Sequence, residues 1–147
     1  MDITNVRAQL ALAASAVTLA NGALTCTGYM PDAVNEPCFF ISDYTIDFDK
    51  VMNRGLDSVE FTGRVLVSRA DDLAGQKLLD DMLSGSGSAS LKTAIEAARG
   101  APGSAALNGY AHDLRVTRMQ GLRLYEHNGL QYLGAEITIM VIGDGSA

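Results

Sequence analysis

The sequence predicts an α+β fold: an antiparallel or mixed β-sheet with helices packed on one face, closed by a long C-terminal β-hairpin. Three observations carry this. The β runs are grouped instead of alternating regularly with helices. The N-terminal stretch has an apolar period of three to four residues. Asn128-Gly129 separates two long β runs, and Asn-Gly is the strongest short-range hairpin signal, because a type I′ turn needs positive φ at both positions. The 147 residues match the usual size of one domain, 1–147, which buries roughly 70% of its unfolded surface.

The elements follow in order. Ile3, Val6, Leu10, Ala13, Val17 and Ala20 recur at helical spacing, with Asp2 placed to cap the helix and Asn21-Gly22 placed to end it. Leu24 to Tyr29 reads as a strand, Met30-Pro31-Asp32 as a bend, and Cys38 to Asp49 as a longer strand with Cys38, Phe40, Tyr44, Ile46 and Phe48 on one face. A polar connection runs from Lys50 to Asp57, with turn signals at Asn53-Arg54-Gly55. In the next strand Val59, Phe61, Val65 and Val67 point inward, and Glu60, Thr62, Arg64 and Ser68 point outward.

Asp71 or Asp72 opens a second helix carrying Leu73, Leu78, Leu79, Met82 and Leu83. Gly85-Ser86-Gly87-Ser88 interrupts it, and a shorter helix over 90–99 rests on Leu91 and Ile95. The Gly/Ala/Pro-rich stretch that follows, through Gly109, reads as the most mobile region. In the final hairpin, simple pairing sets Leu124 opposite Leu133, Leu122 opposite Ala135 and Val116 opposite Val141, with Tyr125 facing Tyr132 on the reverse side. Arg118 and Gln120 interrupt the apolar face, opposite Ile139 and Ile137, and Gly121 marks a bulge that bends the arm.

Composition narrows the function. A net charge of −6 with scattered basic residues argues against sustained nucleic-acid binding, although it would let DNA slide through a channel without sticking. The Ala-rich run Leu10 to Ala23 lacks the basic flank of a secretory signal, and no apolar stretch reaches membrane-spanning length, so a soluble protein made in a cytoplasm is expected. Cys26 and Cys38 are too few and too far apart for a redox or zinc motif. They are read as buried thiols, or as a pair opposed across a hairpin around the Pro31 to Pro37 bend.

Catalytic chemistry is hard to find. His112 and His127 are the only histidines, and no HExxH, GxSxG or P-loop pattern occurs. Asp47 and Asp49 flank Phe48 at strand spacing and, with His112, form the one candidate acid/base or hard-cation group. A mixed-charge surface beside Lys50, Arg54 and Asp57 is the simpler account. No catalytic residue, metal or cofactor is assigned, and the chain is not expected to be an enzyme. Lys50, Arg54 and Asp57 in the polar connection, with Arg118 and Arg123 on the hairpin, are the candidate subunit contacts.

Tyr29-Met30-Pro31-Asp32, Pro37, Gly55-Leu56-Asp57, Val65-Leu66-Val67-Ser68-Arg69-Ala70-Asp71-Asp72, Gly85-Ser86-Gly87, Lys92 and Tyr132-Leu133-Gly134-Ala135-Glu136 occur in that order along most of the chain. The pattern resembles the tail terminator proteins of long-tailed actinobacterial phages, through structural turns instead of a diagnostic signature. The resemblance implies an α+β subunit that forms a ring, usually a hexamer, on the last ring of the major tail tube protein. Such a ring stops tube growth and presents a surface to the head-tail connector, while DNA passes through its lumen unbound. It implies a place in the virion, at the head-proximal end of the tail, after assembly in the host cytoplasm, with no membrane contact. A neck or head-completion protein of the same virion is the alternative, and a small metal-dependent or acid/base enzyme using Asp47 and Asp49 is the alternative from another class.

Overall fold

The structure is a computed structural model and describes residues 2–19, 24–32, 37–48, 55–69, 73–100 and 105–144. Its elements, in chain order, are α1 (Ile3–Ala14), β1 (Thr25–Thr27), β2 (Cys38–Asp47), β3 (Leu56–Arg69), α2 (Leu73–Leu83), α3 (Leu91–Glu96), β4 (Asp113–His127) and β5 (Leu130–Asp144). Short 3-10 turns lie at Ala97–Arg99 and Leu107–Gly109. The strands form one five-stranded sheet ordered β1-β2-β3-β5-β4, in which β1 runs parallel to β2 and every other pair is antiparallel. This is the predicted α+β class.

All three helices pack on one face. Val6, Leu10 and Ala14 of α1, Leu79 and Met82 of α2, and Leu91 and Ile95 of α3 join a single core with Phe39 and Ile41 of β2 and Val59, Phe61, Val65 and Val67 of β3. The hairpin adds Leu114, Val116, Leu133, Ala135, Ile137, Ile139 and Val141. Each fully buried large apolar side chain contributes roughly 1.5–3 kcal/mol relative to exposure, so this layer is the main source of stability. The inward set foreseen for β3 is the set observed.

Asp2 caps α1 as expected, its Oδ1 accepting from the Asn5 backbone N–H at 3.2 Å. The helix ends at Ala14, however, well before the predicted stop at Asn21-Gly22, which lies outside the described residues. Ser15 turns its hydroxyl back to the Leu12 carbonyl at 2.5 Å, and the Thr18 N–H is taken by the Ser88 carbonyl at 2.8 Å. Val17 is still buried, packing from non-helical backbone. The apolar period therefore outlasts the helix.

The hairpin that would set the two cysteines opposite each other is not formed. Because β1 and β2 are parallel, Thr25 pairs with Cys38 and Cys26 with Phe39. Adjacent residues of a strand point to opposite faces, so Cys26 packs on the helix side while Cys38 joins Phe40 on the reverse side. The two cysteines are not joined by a disulfide. Residues 33–36 of the intervening bend lie outside the described set.

The single face expected for β2 is split. A register shift between Ile41 and Asp43 places Phe39 and Ile41 inward before it and Tyr44 and Ile46 inward after it. Phe40 is consequently on the reverse face, and Phe48 is exposed. The strand ends at Asp47, two residues short of the predicted Asp49.

The C-terminal hairpin has the predicted two-residue turn: His127 pairs with Leu130, and Asn128 and Gly129 have φ of 51° and 78°. Leu124 faces Leu133 and Tyr125 faces Tyr132, as predicted. Beyond them β4 carries two register shifts. The first, between Gln120 and Arg123, includes the foreseen bulge at Gly121; the second lies between Val116 and Arg118. Arg118 and Gln120 therefore face Thr138 and Glu136, while Val116 meets Ile139 and Leu114 meets Val141. The apparent interruption of the apolar face is removed because each bulge turns the following residues over. The side chain of Leu122 lies outside the described set.

In the connection after β3, Asp71 and Asp72 are outside the described residues, as are 101–104 of the Gly/Ala/Pro-rich stretch. Ser90, predicted to start the shorter helix, is its N-cap: its Oγ accepts from the Thr93 N–H at 3.2 Å and donates to the Ser84 carbonyl at 2.5 Å.

Candidate assembly surface

With the helices on one side, the side chains of the other side of the sheet can be placed row by row from the strand register. One row runs Arg118, Thr138, Thr62, Asp43 from β4 through β5 and β3 to β2. The next runs Arg115, Met140, Glu60, Thr45. A third runs Asp113, Ile142, Ser58, Asp47, and a fourth begins with Arg123 and crosses Gly134 and Leu66 to Cys38.

Charges of both signs stand on this face, with Asp113 beside Arg115 on β4 and the Arg64–Glu136 pair across β3 and β5. Arg115, Arg118 and Arg123 are exposed on β4, at one edge of the sheet, while Asp43, Asp47 and Glu60 are exposed on β2 and β3. Strands lie about 4.8 Å apart, so the β4 arginines stand ~14 Å from the β2 carboxylates. That exceeds the Debye length of about 8 Å at physiological salt. Other cations are paired: Arg64 with Glu136 at 3.8 Å, Lys92 with Glu96 at 2.8 Å and Arg99 with Asp113 at 2.6 Å. The three β4 arginines make no ion pair among the described residues.

Beside Arg115 an open groove of about 280 Å³ has an apolar floor of Leu114, Met140 and Ile142. Arg99 and Asp113 form its rim. The Arg99 hydrogen bonds, at 2.6 and 3.1 Å, hold the Asp113 carboxyl below its usual range.

At the hairpin end, Cys38, Phe40, Leu66 and Tyr132 form a small second core with Tyr125 against it. The Arg64 guanidinium stacks over the Tyr125 ring at 4.4 Å. His127 stands 5.9 Å from the Phe40 ring, with its Nε2 2.7 Å from the Pro31 carbonyl oxygen, and the Asn128 amide donates to the Asp32 carbonyl. The loop after β1 thus braces the hairpin turn. Exposed Tyr29 and Met30 on that loop, and Leu124 and Leu130 flanking the turn, give this end an apolar character.

No protein-family model matches the chain, and no curated protein is similar to it.

Of the five candidate contact residues, Arg118 and Arg123 lie exposed on one face of β4. Asp57 does not belong to an exposed loop: it is the second residue of β3, is 5% exposed, and pairs with Gly143. Lys50 and Arg54 lie outside the described residues. Of the acid/base candidates, Asp47 is at the end of β2 and His112 precedes β4, three strands away, so the fold does not bring them together; Asp49 lies outside the described residues. Among the described residues no group of three or more His, Cys, Asp or Glu could hold a metal ion. No helix among them is long and apolar enough to cross a membrane.

Sequence reasoning missed Arg115 and the carboxylates Asp43 and Glu60. The spacing of 115, 118 and 123 is odd at each step, which in a regular strand would alternate faces. One bulge in each interval returns all three to the same face.

Proposed function

We propose that the chain is the tail terminator of a long-tailed phage, a subunit that assembles into a ring on the last ring of the tail tube and offers its far surface to the head connector. The braced hairpin end supports this reading best. A two-residue turn pinned to a neighbouring loop through His127 and Asn128 is a stiff projection, and it displays Tyr29, Met30, Leu124 and Leu130 to solvent. Rigid aromatic and Met side chains gathered at one end are what a stable contact with another protein uses. The one-sided helical layer supports it too, because it leaves the exposed part of the reverse face, around Arg115, Arg118, Thr45 and Glu60, for neighbours. A ring of this acidic subunit would pass DNA without holding it.

Imaging intact virions with a label on this chain tests the proposal. A label at the head-proximal end of the tail is the expected result. A label at the distal tip, or no label in virions, overturns it.

A further inference from the structure

We infer that Asn128 is a site of spontaneous deamidation, and that the reaction unlatches the hairpin turn from the loop after β1. Neither step depends on what the chain assembles with.

The chemistry is internal to the turn. The Gly129 backbone nitrogen, on losing its proton to hydroxide, attacks Cγ of the Asn128 side chain. The new C–N bond closes a five-membered succinimide, and the Cγ–Nδ2 bond breaks to release ammonia. Water then opens either ring C–N bond, which leaves aspartate or isoaspartate at position 128. The balance is water in and ammonia out, with no oxidant and no cofactor. Asn followed by Gly favours this cyclisation because no Cβ on the second residue shields its nitrogen.

Three features of the turn leave Asn128 open to it. The residue is exposed at the tip of the hairpin. A Cβ built on Gly129 would meet no atom within 4 Å, so base and water can reach the nitrogen. The Gly129 N–H makes no hydrogen bond among the described residues, because a two-residue turn pairs its flanking His127 and Leu130 instead. The bond from the Asn128 amide to the Asp32 carbonyl holds Nδ2, the leaving group, and not the carbon under attack.

Asn108-Gly109 supplies the contrast within the same chain. It is also exposed and also left-handed, with φ of 55° and 94°, but the Gly109 N–H donates to the Ala106 carbonyl at 3.1 Å. Releasing that proton requires breaking the bond, so the nucleophile is held back.

The product undoes the latch. A carboxylate at 128 has no N–H to give, and it sets a negative charge against the Asp32 carbonyl oxygen that now accepts the bond. Isoaspartate also adds a carbon to the main chain of a turn whose φ values of 51° and 78° fit the pairing of His127 with Leu130. Of the two bonds from the turn to this loop, the one between His127 and the Pro31 carbonyl remains.

Ageing the purified full-length chain in mildly alkaline buffer, with peptide mapping by mass spectrometry, tests the first step. In the folded chain Asn128 should convert about fivefold faster than Asn108, the factor that a hydrogen bond of ~1 kcal/mol at the nucleophile gives. In urea the two rates should converge. Asn108 converting as fast as Asn128 in the folded chain, or Asn128 unchanged there while it converts in urea, overturns the site. Asn128→Asp tests the second step, since aspartate is the product itself and tolerates the left-handed turn. Hydrogen exchange should be severalfold faster than in the wild type over Tyr29–Asp32 and unchanged in β3 and β5. The aged wild-type chain, separated by ion exchange through its extra negative charge, gives the same reading without a substitution. Exchange in the loop that stays at the wild-type rate in both samples overturns the unlatching.

Discussion

The ring of Phe39 lies against the backbone of Gly63, so close that a methyl group built on Gly63 would stand 2.7 Å from a ring carbon. Both residues face the helix side of the sheet, and Phe39 is fully buried. Gly63 is thus a seat for an aromatic ring, required by space and not by backbone angle.

Gly63→Ala should accordingly cost about 1–3 kcal/mol, the usual range for overpacking. Urea unfolding checks this through a lower midpoint with an unchanged slope. Adding Phe39→Leu to Gly63→Ala should recover part of the loss, because a smaller side chain vacates the contested space. Additive losses in the double variant would show that the two positions are not coupled.

Tyr125 should be a late-titrating tyrosine. Burial, and next the negative charge of Glu136, hold its pKa above the ordinary tyrosine value. A raised pKa means that the folded state favours the neutral phenol, so this contribution is fully present below the ordinary tyrosine value and is lost as pH rises through the folded value. Ultraviolet difference titration should show Glu136→Gln lowering the ionisation midpoint of Tyr125. Tyr125→Phe keeps the ring on which Arg64 stacks and removes the ionising group, so it should abolish this loss of stability at high pH.

Ser90→Ala should lower stability by about 1–2 kcal/mol, because the hydroxyl both caps α3 and satisfies the Ser84 carbonyl. For a chain of this length that is a fall in melting temperature of roughly 2–8 °C, measurable by calorimetry. Ser90→Thr should retain most of the loss-free behaviour, since it preserves the cap oxygen.

The thiols should be inert while the protein is folded. Burial, with a smaller effect of Cys38, pushes the Cys26 pKa up to about 12, and Cys38 is itself buried. Near pH 8 an aromatic disulfide reagent should react slowly with the native chain and titrate both thiols once denaturant is added. Mild oxidation should yield no intramolecular disulfide, since the two side chains leave the sheet on opposite faces.

The parts of the fold that were legible in the sequence are those governed by local chemistry. Asp2, Ser90 and Asn128-Gly129 announced a cap, a helix start and a turn, because each acts on backbone groups within a few residues. The β3 alternation was legible because no bulge interrupts it between Val59 and Val65. What failed was set by distant partners. The end of α1 depends on Ser88, more than seventy positions away, and the direction of β1 depends on which edge of β2 it meets. The common face of the β4 arginines was hidden by the same cause: Arg118 and Arg123 could be picked as exposed cations, but their sharing a face with Arg115 follows from two bulges, only one of which a glycine marked.

Those two bulges bear on how the edge of the sheet meets other chains. β4 is a fifteen-residue edge strand with no pairing partner on its outer side among the described residues. A straight edge of that length would be a template for indefinite growth by any passing β-strand. The irregularities at Thr117 and at Gly121-Leu122 break the outward row of amide and carbonyl groups into short pieces, out of phase with one another. A foreign strand cannot zip along them. The edge is thereby left to contacts made by side chains, and the chain is spared polymerisation into fibres.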